Sequence, residues 1–209
     1  MPKKPPVMPL IAAHPLEQRR VPFDDPDWLF ELKADGFRGL LYIAHQSGRL
    51  VSRNGRELRR FRTLADQLAR TLKVKSAILD GEVVVRDATG RPIFLDLLKR
   101  RGDASYVAFD LLWLNGRDLR RLALIERKRA LRRLLPRRST LIEEALWVPE
   151  RGRMLFTVVQ QHDLEGIVAK RKNDAYTPSA KWIKIKNPTY SQAEGRWNLF
   201  EKRVHAASV

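Results

Sequence analysis

The sequence contains no cysteine among its 209 residues, which excludes disulfide bonds, thiolate metal ligands and cysteine nucleophiles. Histidine is scarce, since only His14, His45, His162 and His205 occur, and their wide spacing does not fit a zinc site. No apolar run reaches the roughly 18 residues that a membrane-spanning helix needs. The N-terminus has a positive tip and a short apolar stretch, but prolines interrupt that stretch, so it does not fit a signal peptide. We therefore expect a cytoplasmic protein without a membrane anchor.

Acidic residues are few relative to basic ones. The 24 Asp and Glu stand against 41 Lys and Arg, which gives a formal net charge of +17. This charge favours nucleic acid as a partner, because a basic surface gains affinity by displacing counterions from phosphates; the alternative is a merely soluble basic protein. The excess is concentrated between residues 120 and 138, where a helix is predicted over Leu124–Leu135 with leucines on one face and arginines on the other. This basic segment is expected to face either nucleic-acid phosphates or solvent, and its candidate nucleic-acid contacts are Arg120, Arg121, Arg132 and Arg133.

Composition divides the chain into three parts. Residues 1–22 are rich in proline and are expected to form an extended lead-in, residues 23–187 one folded domain, and residues 188–209 a short tail packed on that domain. The tail is predicted to contain a short helix that includes Trp197, Leu199 and Phe200.

The domain has the pattern of an α+β fold dominated by antiparallel hairpins. Helical periodicity predicts helices at 57–72, 124–135 and 152–161. Alternating or apolar runs predict strands at 28–33, 39–44, 49–53, 77–86, 105–114, 166–171 and 182–186. The turn-forming pair Asp35-Gly36 is expected to join the first two strands in a hairpin, and Asp80-Gly81-Glu82 to interrupt a later strand.

Charged residues lie inside several of these apolar strands. Burying a charge without a partner costs several kcal/mol, so such positions need a reason. Five segments have this character: Glu31–Arg38 (ELKADGFR), Leu79–Val85 (LDGEVVV), Phe109–Leu112 (FDLL), Glu165–Lys170 (EGIVAK) and Lys181–Lys186 (KWIKIK). Strand alternation in the last segment places Lys184 and Lys186 on one face, where two ammonium groups repel unless an anion lies between them. Each segment alone also fits a solvated edge lysine or an ordinary turn.

Together, in order and spacing, the five segments resemble the motifs of the covalent nucleotidyltransferases, and within them the adenylation domain of ATP-dependent DNA ligases of the bacterial end-joining type. The likeness runs from about Met8 to Lys186. It implies an antiparallel-sheet, ATP-grasp-like fold with flanking helices. It also implies an enzyme that forms a lysyl-AMP intermediate from ATP and transfers AMP to the 5′-phosphate of nicked DNA in repair and recombination.

The resemblance assigns roles to individual residues. Lys33 matches the lysine nucleophile, and Lys184 and Lys186 would lower its pKa and neutralise the α-phosphate. Nucleotide-binding roles fall on Glu31, which would accept a hydrogen bond from the adenine amine, on Arg38, Arg53 and Glu82, and on Phe109, which would stack on adenine. Glu82 and Glu165 would hold Mg²⁺ or Mn²⁺. Asp35 is expected to shape a turn, and Lys170 receives no role.

Ligases of this family carry an oligonucleotide-binding barrel after the adenylation domain. Only 23 residues follow Lys186, whereas a five-stranded barrel needs at least about 50. We therefore expect a monomeric adenylation domain without the barrel, which a partner protein would supply or which the reaction would not need. Two alternatives stay open: an accessory module of DNA repair that binds AMP or nicks without sealing them, and an RNA ligase.

Overall fold

The computed structural model describes residues 7–193 and contains two β-sheets built largely from antiparallel strands. The first sheet has the order β1-β11-β10-β2-β9, and the second has the order β4-β3-β5-β6-β7, with β8 paired to β6. The first sheet consists of β1 (Glu17–Gln18), β2 (Trp28–Leu32), β9 (Trp147–Pro149), β10 (Gly166–Arg171) and β11 (Trp182–Lys186). The second consists of β3 (Phe37–Ala44), β4 (Ser47–Ser52), β5 (Ser76–Val85), β6 (Ala104–Leu114), β7 (Arg117–Asp118) and β8 (Ile142–Glu144).

Within residues 7–193, four helices flank the sheets: α1 (Arg62–Leu72), α2 (Phe94–Lys99), α3 (Leu124–Leu134) and α4 (Gly152–Gln161). The apolar faces of α1, α2 and α3 pack on the second sheet in one large core. Helix α4 packs on β2 and β10 in a separate core. On its other side the second sheet packs against Tyr176, Trp182 and the lead-in in a third core. A cleft remains between the two sheets beside this core.

Most predicted elements occur close to their predicted bounds, and α4 has the predicted range. The helix predicted over 57–72 begins later, at Arg62, because Leu58 N donates to Leu50 O (2.8 Å) and Arg59–Phe61 form a 3₁₀ turn. The short elements α2, β1, β7, β8 and β9 were not predicted from the sequence.

The predicted hairpin around Asp35-Gly36 is wrong. Strand β2 pairs with β9 and β10 in the first sheet, whereas β3 pairs with β4 and β5 in the second. The segment between them therefore carries the chain from one sheet to the other.

The predicted interruption of β5 at Asp80-Gly81-Glu82 is also wrong, since the strand continues through it with a register shift between Asp80 and Gly81. Glycine is needed there for close approach and not for a turn, because a Cβ on Gly81 would lie 2.4 Å from the Tyr106 ring.

The predicted division of α3 into a leucine face and an arginine face is incomplete, because Arg127 and Lys128 are buried. Arg127 Nε and Nη2 donate to the two carboxylate oxygens of Asp110 at 2.8 and 2.9 Å. Lys128 Nζ lies 2.7 Å from Glu31 Oε1. These two cations hold α3 to β6 and β2 and are not available to DNA.

The lead-in is extended from residue 7 onward and lies against both sheets. Ile11 N donates to the Tyr42 hydroxyl (2.9 Å), and β1 pairs in parallel with β11. The predicted tail helix with Trp197, Leu199 and Phe200 lies outside the described residues. No helix among residues 7–193 combines the length and apolar character needed to cross a bilayer.

Candidate active site

The cleft between the sheets collects residues that are far apart in the sequence. The first sheet and the residues that follow β2 contribute Glu31, Lys33, Val168, Lys170 and Trp182 to its lining, and the second sheet contributes Arg38, Glu82 and Phe109. Leu16 of the lead-in completes one wall. The cleft lining therefore includes at least one residue from each of the five charged segments of the sequence.

Lys33 lies immediately after β2, where the chain passes between the sheets. Its backbone N–H donates to Gly166 O (2.9 Å), and its Nζ lies 2.6 Å from Glu165 Oε2. Gly36 permits the crossing, because a Cβ there would lie 2.0 Å from the carbonyl oxygen of Val83. The Lys33 side chain is 20% exposed, so the amine is held by a carboxylate and can still be reached from the cleft.

Lys184 and Lys186 project from the same face of β11, as the alternation predicts. Burial lowers the pKa of the Lys184 ammonium. The nearby charges of Lys186, Lys33 and Arg53 lower this pKa further. Four cations thus surround one region, and a phosphate group placed there would relieve their repulsion.

Glu82 lies on β5, opposite Lys33. Burial raises the pKa of its carboxyl to about 8. Lys33 and Arg38 oppose this increase, while the charges of Glu165 and Asp35 add to it. A buried carboxyl in this state gains from a cation, and the hard oxygens of Glu82 and Glu165 suit Mg²⁺ or Mn²⁺. Within residues 7–193, no three acidic or histidine side chains form a complete metal site, so an ion held here would take its other ligands from phosphate and water.

Two aromatic rings belong to the apolar part of the cleft lining. Phe109 and Trp182 meet edge to face, with ring centroids 6.0 Å apart. Lys170 Nζ lies 3.8 Å from the Trp182 ring centroid and 4.3 Å from that of Phe109. An aromatic face with a cation beside it suits a nucleobase.

Glu31 lies in this lining with both carboxylate oxygens paired. Lys128 Nζ and Lys170 Nζ each lie 2.7 Å from one of its oxygens. Burial lowers the pKa of Lys170 to about 8, and the positive charge of Lys128 contributes, while Glu31 acts in the opposite direction. Each carboxylate oxygen has two lone pairs, so Glu31 keeps acceptor capacity for a base amine.

Arg38 is fixed at the edge of the cleft by the second sheet and the lead-in. Its Nε and Nη2 donate to Asp80 Oδ1 and Oδ2 at 3.1 and 2.7 Å. Its Nη1 donates to the carbonyl of His14 (2.5 Å), and the Tyr176 hydroxyl donates to the same Asp80 carboxylate (2.9 Å). Arg53, by contrast, is exposed in the turn that follows β4.

The sequence profile of the ATP-dependent DNA ligase domain matches residues 13–186. The chain belongs to the ATP-dependent DNA ligase family. The recognition made from the five charged segments is therefore confirmed, and so is membership of a family of nucleotidyltransferase enzymes.

Curated ligases and one solved ligase structure show how much of a whole protein this domain represents. It is 36% identical over 180 residues to the multifunctional non-homologous end joining DNA repair protein LigD of Mycobacterium tuberculosis, which covers 83% of this chain and 24% of LigD. It is 31% identical to DNA ligase C1 of Mycolicibacterium smegmatis, over 90% of this chain and 58% of that ligase. The structure of mycobacterial DNA ligase D complexed with ATP and MES aligns with a TM-score of 0.68 and 32% identity, over 83% of this chain and 60% of that one. This likeness confirms the predicted fold class, while the chain spans about a quarter of the length of LigD.

Three features of this ligase-family site were not singled out from the sequence. Trp182 could have been recognised, because strand alternation places it on the same face as Lys184 and Lys186. The pairing of Lys128 with Glu31 and the contact of His14 with Arg38 have no local signal, since each joins residues from separate elements.

The four arginines predicted to contact DNA differ in their surroundings. Arg120 forms an ion pair with Asp118 (2.7 Å), and Arg132 forms one with Glu144 (2.9 Å). Arg121 and Arg133 are exposed.

Proposed function

We propose that this domain transfers the adenylyl group of ATP to a 5′-phosphate at a nick in DNA through a covalent intermediate on Lys33. The neutral amine of Lys33 attacks the α-phosphorus, an N–P bond forms as the P–O bond to pyrophosphate breaks, and the amine loses a proton. In the second step, an oxygen of the 5′-phosphate attacks the same phosphorus, and the N–P bond breaks to return the free lysine.

The observation that carries this proposal is the placement of Lys33 between a carboxylate and a group of cations. Glu165 Oε2, 2.6 Å from Nζ, orients the amine and can accept its proton. Lys184 and Lys186 offer ammonium groups to the phosphate where negative charge develops.

The remaining cleft residues suit the nucleoside. Phe109 would stack on adenine beside Trp182, Glu31 would accept from the exocyclic amine, and Arg38 and Arg53 would hold ribose and phosphate. Glu82 and Glu165 would hold Mg²⁺ or Mn²⁺, which would neutralise phosphate charge when bound. We further propose that the domain acts as a monomer on nicked double-stranded DNA, with a partner supplying the barrel where sealing requires one.

The test is incubation with α-labelled ATP and Mg²⁺ or Mn²⁺, followed by denaturing electrophoresis and a chase with nicked DNA. Lys33→Ala should lose the covalent label, and the matched variant Lys75→Ala, at an exposed lysine outside the cleft, should keep it. Discharge of the label by nicked DNA supports the ligase reaction, whereas discharge by nicked RNA alone would indicate an RNA ligase. Absence of label with ATP still bound would contradict the proposal and favour an accessory module.

A further inference from the structure

Two clusters of basic residues in the described chain differ in their surroundings. In the first group, on α3 and its flanking loops, Arg120 and Arg132 are paired with carboxylates, and Arg127 and Lys128 are buried in ion pairs. Four of the nine basic residues between 120 and 138 are therefore neutralised within the protein, and the other five remain exposed: Arg121, Arg129, Arg133, Arg137 and Arg138.

The second group lies on two other segments. One segment follows β4 and the other ends α2, and together they present six exposed cations: Arg53, Arg56, Arg59, Lys99, Arg100 and Arg101. Glu57, Asp96 and Asp103 are the acidic residues on the same segments. Throughout residues 7–193, no carboxylate oxygen lies within 4.0 Å of a side-chain nitrogen of these six cations, so none of them forms an ion pair. Their charge is thus left for a partner.

Arg60 joins the two segments into one surface. Its guanidinium lies 4.5 Å from the Phe37 ring centroid and 4.3 Å from that of Phe61, and its Nη2 donates to Leu97 O of α2 (3.0 Å). The 3₁₀ turn that carries Arg59 is therefore held against the end of α2, next to Lys99. We call the six exposed cations the basic track.

The basic track begins at the mouth of the active-site cleft. Arg53 directly follows Ser52, which pairs with Gly39 on β3, and Gly39 is the neighbour of Arg38 in the cleft lining. The charge of Arg53 is also among the causes that lower the pKa of Lys184. A polyanion that lies along the track would therefore lead directly to Lys33 and its neighbours.

We propose that the basic track binds the sugar-phosphate backbone of duplex DNA beside the nick and directs the 5′-phosphate into the cleft. The choice of DNA rests on the proposed function, and the choice of surface rests on charge complementarity. A row of unpaired cations gains affinity by releasing counterions from phosphates, and guanidinium groups match phosphate geometry. The track, and not the arginines of α3, carries the salt-dependent part of DNA binding.

The experiment measures the affinity for a fluorescein-labelled nicked duplex by anisotropy over a series of KCl concentrations, without ATP. The test variant is Arg56→Gln/Arg59→Gln/Arg100→Asn; asparagine is used because Arg100 has a φ of 62°, which asparagine tolerates. The loss of three phosphate contacts should reduce the slope of log K against log salt by about 2.7 and weaken binding at 0.1 M salt by about 10²–10³-fold.

The matched control removes three exposed arginines from α3 and its flanking loops, as Arg121→Gln/Arg133→Gln/Arg138→Gln. Its slope of log K against log salt should equal that of the parent protein. An equal loss in both triple variants, or a loss only in the control, would overturn the proposal. Labelling of Lys33 by ATP alone, measured in parallel, should be retained in both. If the parent protein takes no label but the two triples still differ in salt slope, the proposed reaction fails while the DNA surface stands.

Discussion

Replacing Arg127 with leucine separates a structural role for the charge of α3 from a role in DNA binding. In addition to its two bonds to Asp110, Arg127 Nη1 donates to the carbonyls of Leu122 (2.6 Å) and Asp174 (3.0 Å). Both side chains of the ion pair are at most 1% exposed. Leucine would leave a buried carboxylate and two carbonyls without these donors, which should lower the free energy of unfolding by about 3–5 kcal/mol. For a domain of this size, that corresponds to a fall of about 6–20 °C in melting temperature.

Urea unfolding followed by circular dichroism measures this change. Arg133→Leu, at an exposed position on the same helix, is the control and should change stability by no more than about 0.5 kcal/mol. The double variant Arg127→Leu/Asp110→Leu should recover much of the loss, because it removes the uncompensated charge. A loss below about 1 kcal/mol in Arg127→Leu, or weaker DNA binding with unchanged stability, would refute the structural role.

Three further perturbations test other parts of the structure. Burial raises the pKa of Glu82 from 4.5 to about 8, so between these pH values the folded state holds a proton that the unfolded state releases. The free energy of unfolding should therefore fall as the pH rises from 4.5 to 8, by at most about 1.4 kcal/mol per pH unit. In urea titrations, Glu82→Gln should lack this contribution to the pH dependence. Tyr190→Phe removes the hydroxyl that donates to Asp35 Oδ2 (2.7 Å); since Asp35 follows the nucleophile by two residues, single-turnover labelling should slow about tenfold with little change in the KM for ATP. Gln46 has a φ of 67° in the two-residue loop between β3 and β4, so Gln46→Gly should raise the free energy of unfolding by about 0.5–1 kcal/mol, and unchanged or lower stability would contradict the turn assignment.

The strands of this domain were predictable because their apolar patterns are local, whereas their partners were not. A turn pair such as Asp35-Gly36 has the same local signal whether the chain folds back beside itself or crosses to another sheet. What decides the outcome is the approach of Val83 to Gly36, and Val83 lies on a strand that comes much later in the sequence.

The burial of two cations on α3 was also not predictable from local sequence patterns. Helical periodicity gave the position of α3 correctly, but the rule that arginine and lysine lie outside failed for Arg127 and Lys128. Their partners are Asp110, 17 residues away, and Glu31 on β2. No local pattern contains that pairing, so the sequence assigned to solvent two charges that hold the fold together.

The distribution of charge pairing also indicates where the substrate lies in the cleft. Glu31, Lys33 and Arg38 each have an oppositely charged partner, so the protein compensates their burial itself. Lys184 and Lys186 differ, because no carboxylate oxygen among residues 7–193 lies within 4.0 Å of either ammonium group, the limit for an ion pair. Two cations on one strand face that stay uncompensated in the folded protein favour an anion between them. In the proposed reaction, the α-phosphate of ATP would therefore lie against β11, next to the amine of Lys33, and the nucleobase would lie beyond it against Phe109 and Trp182.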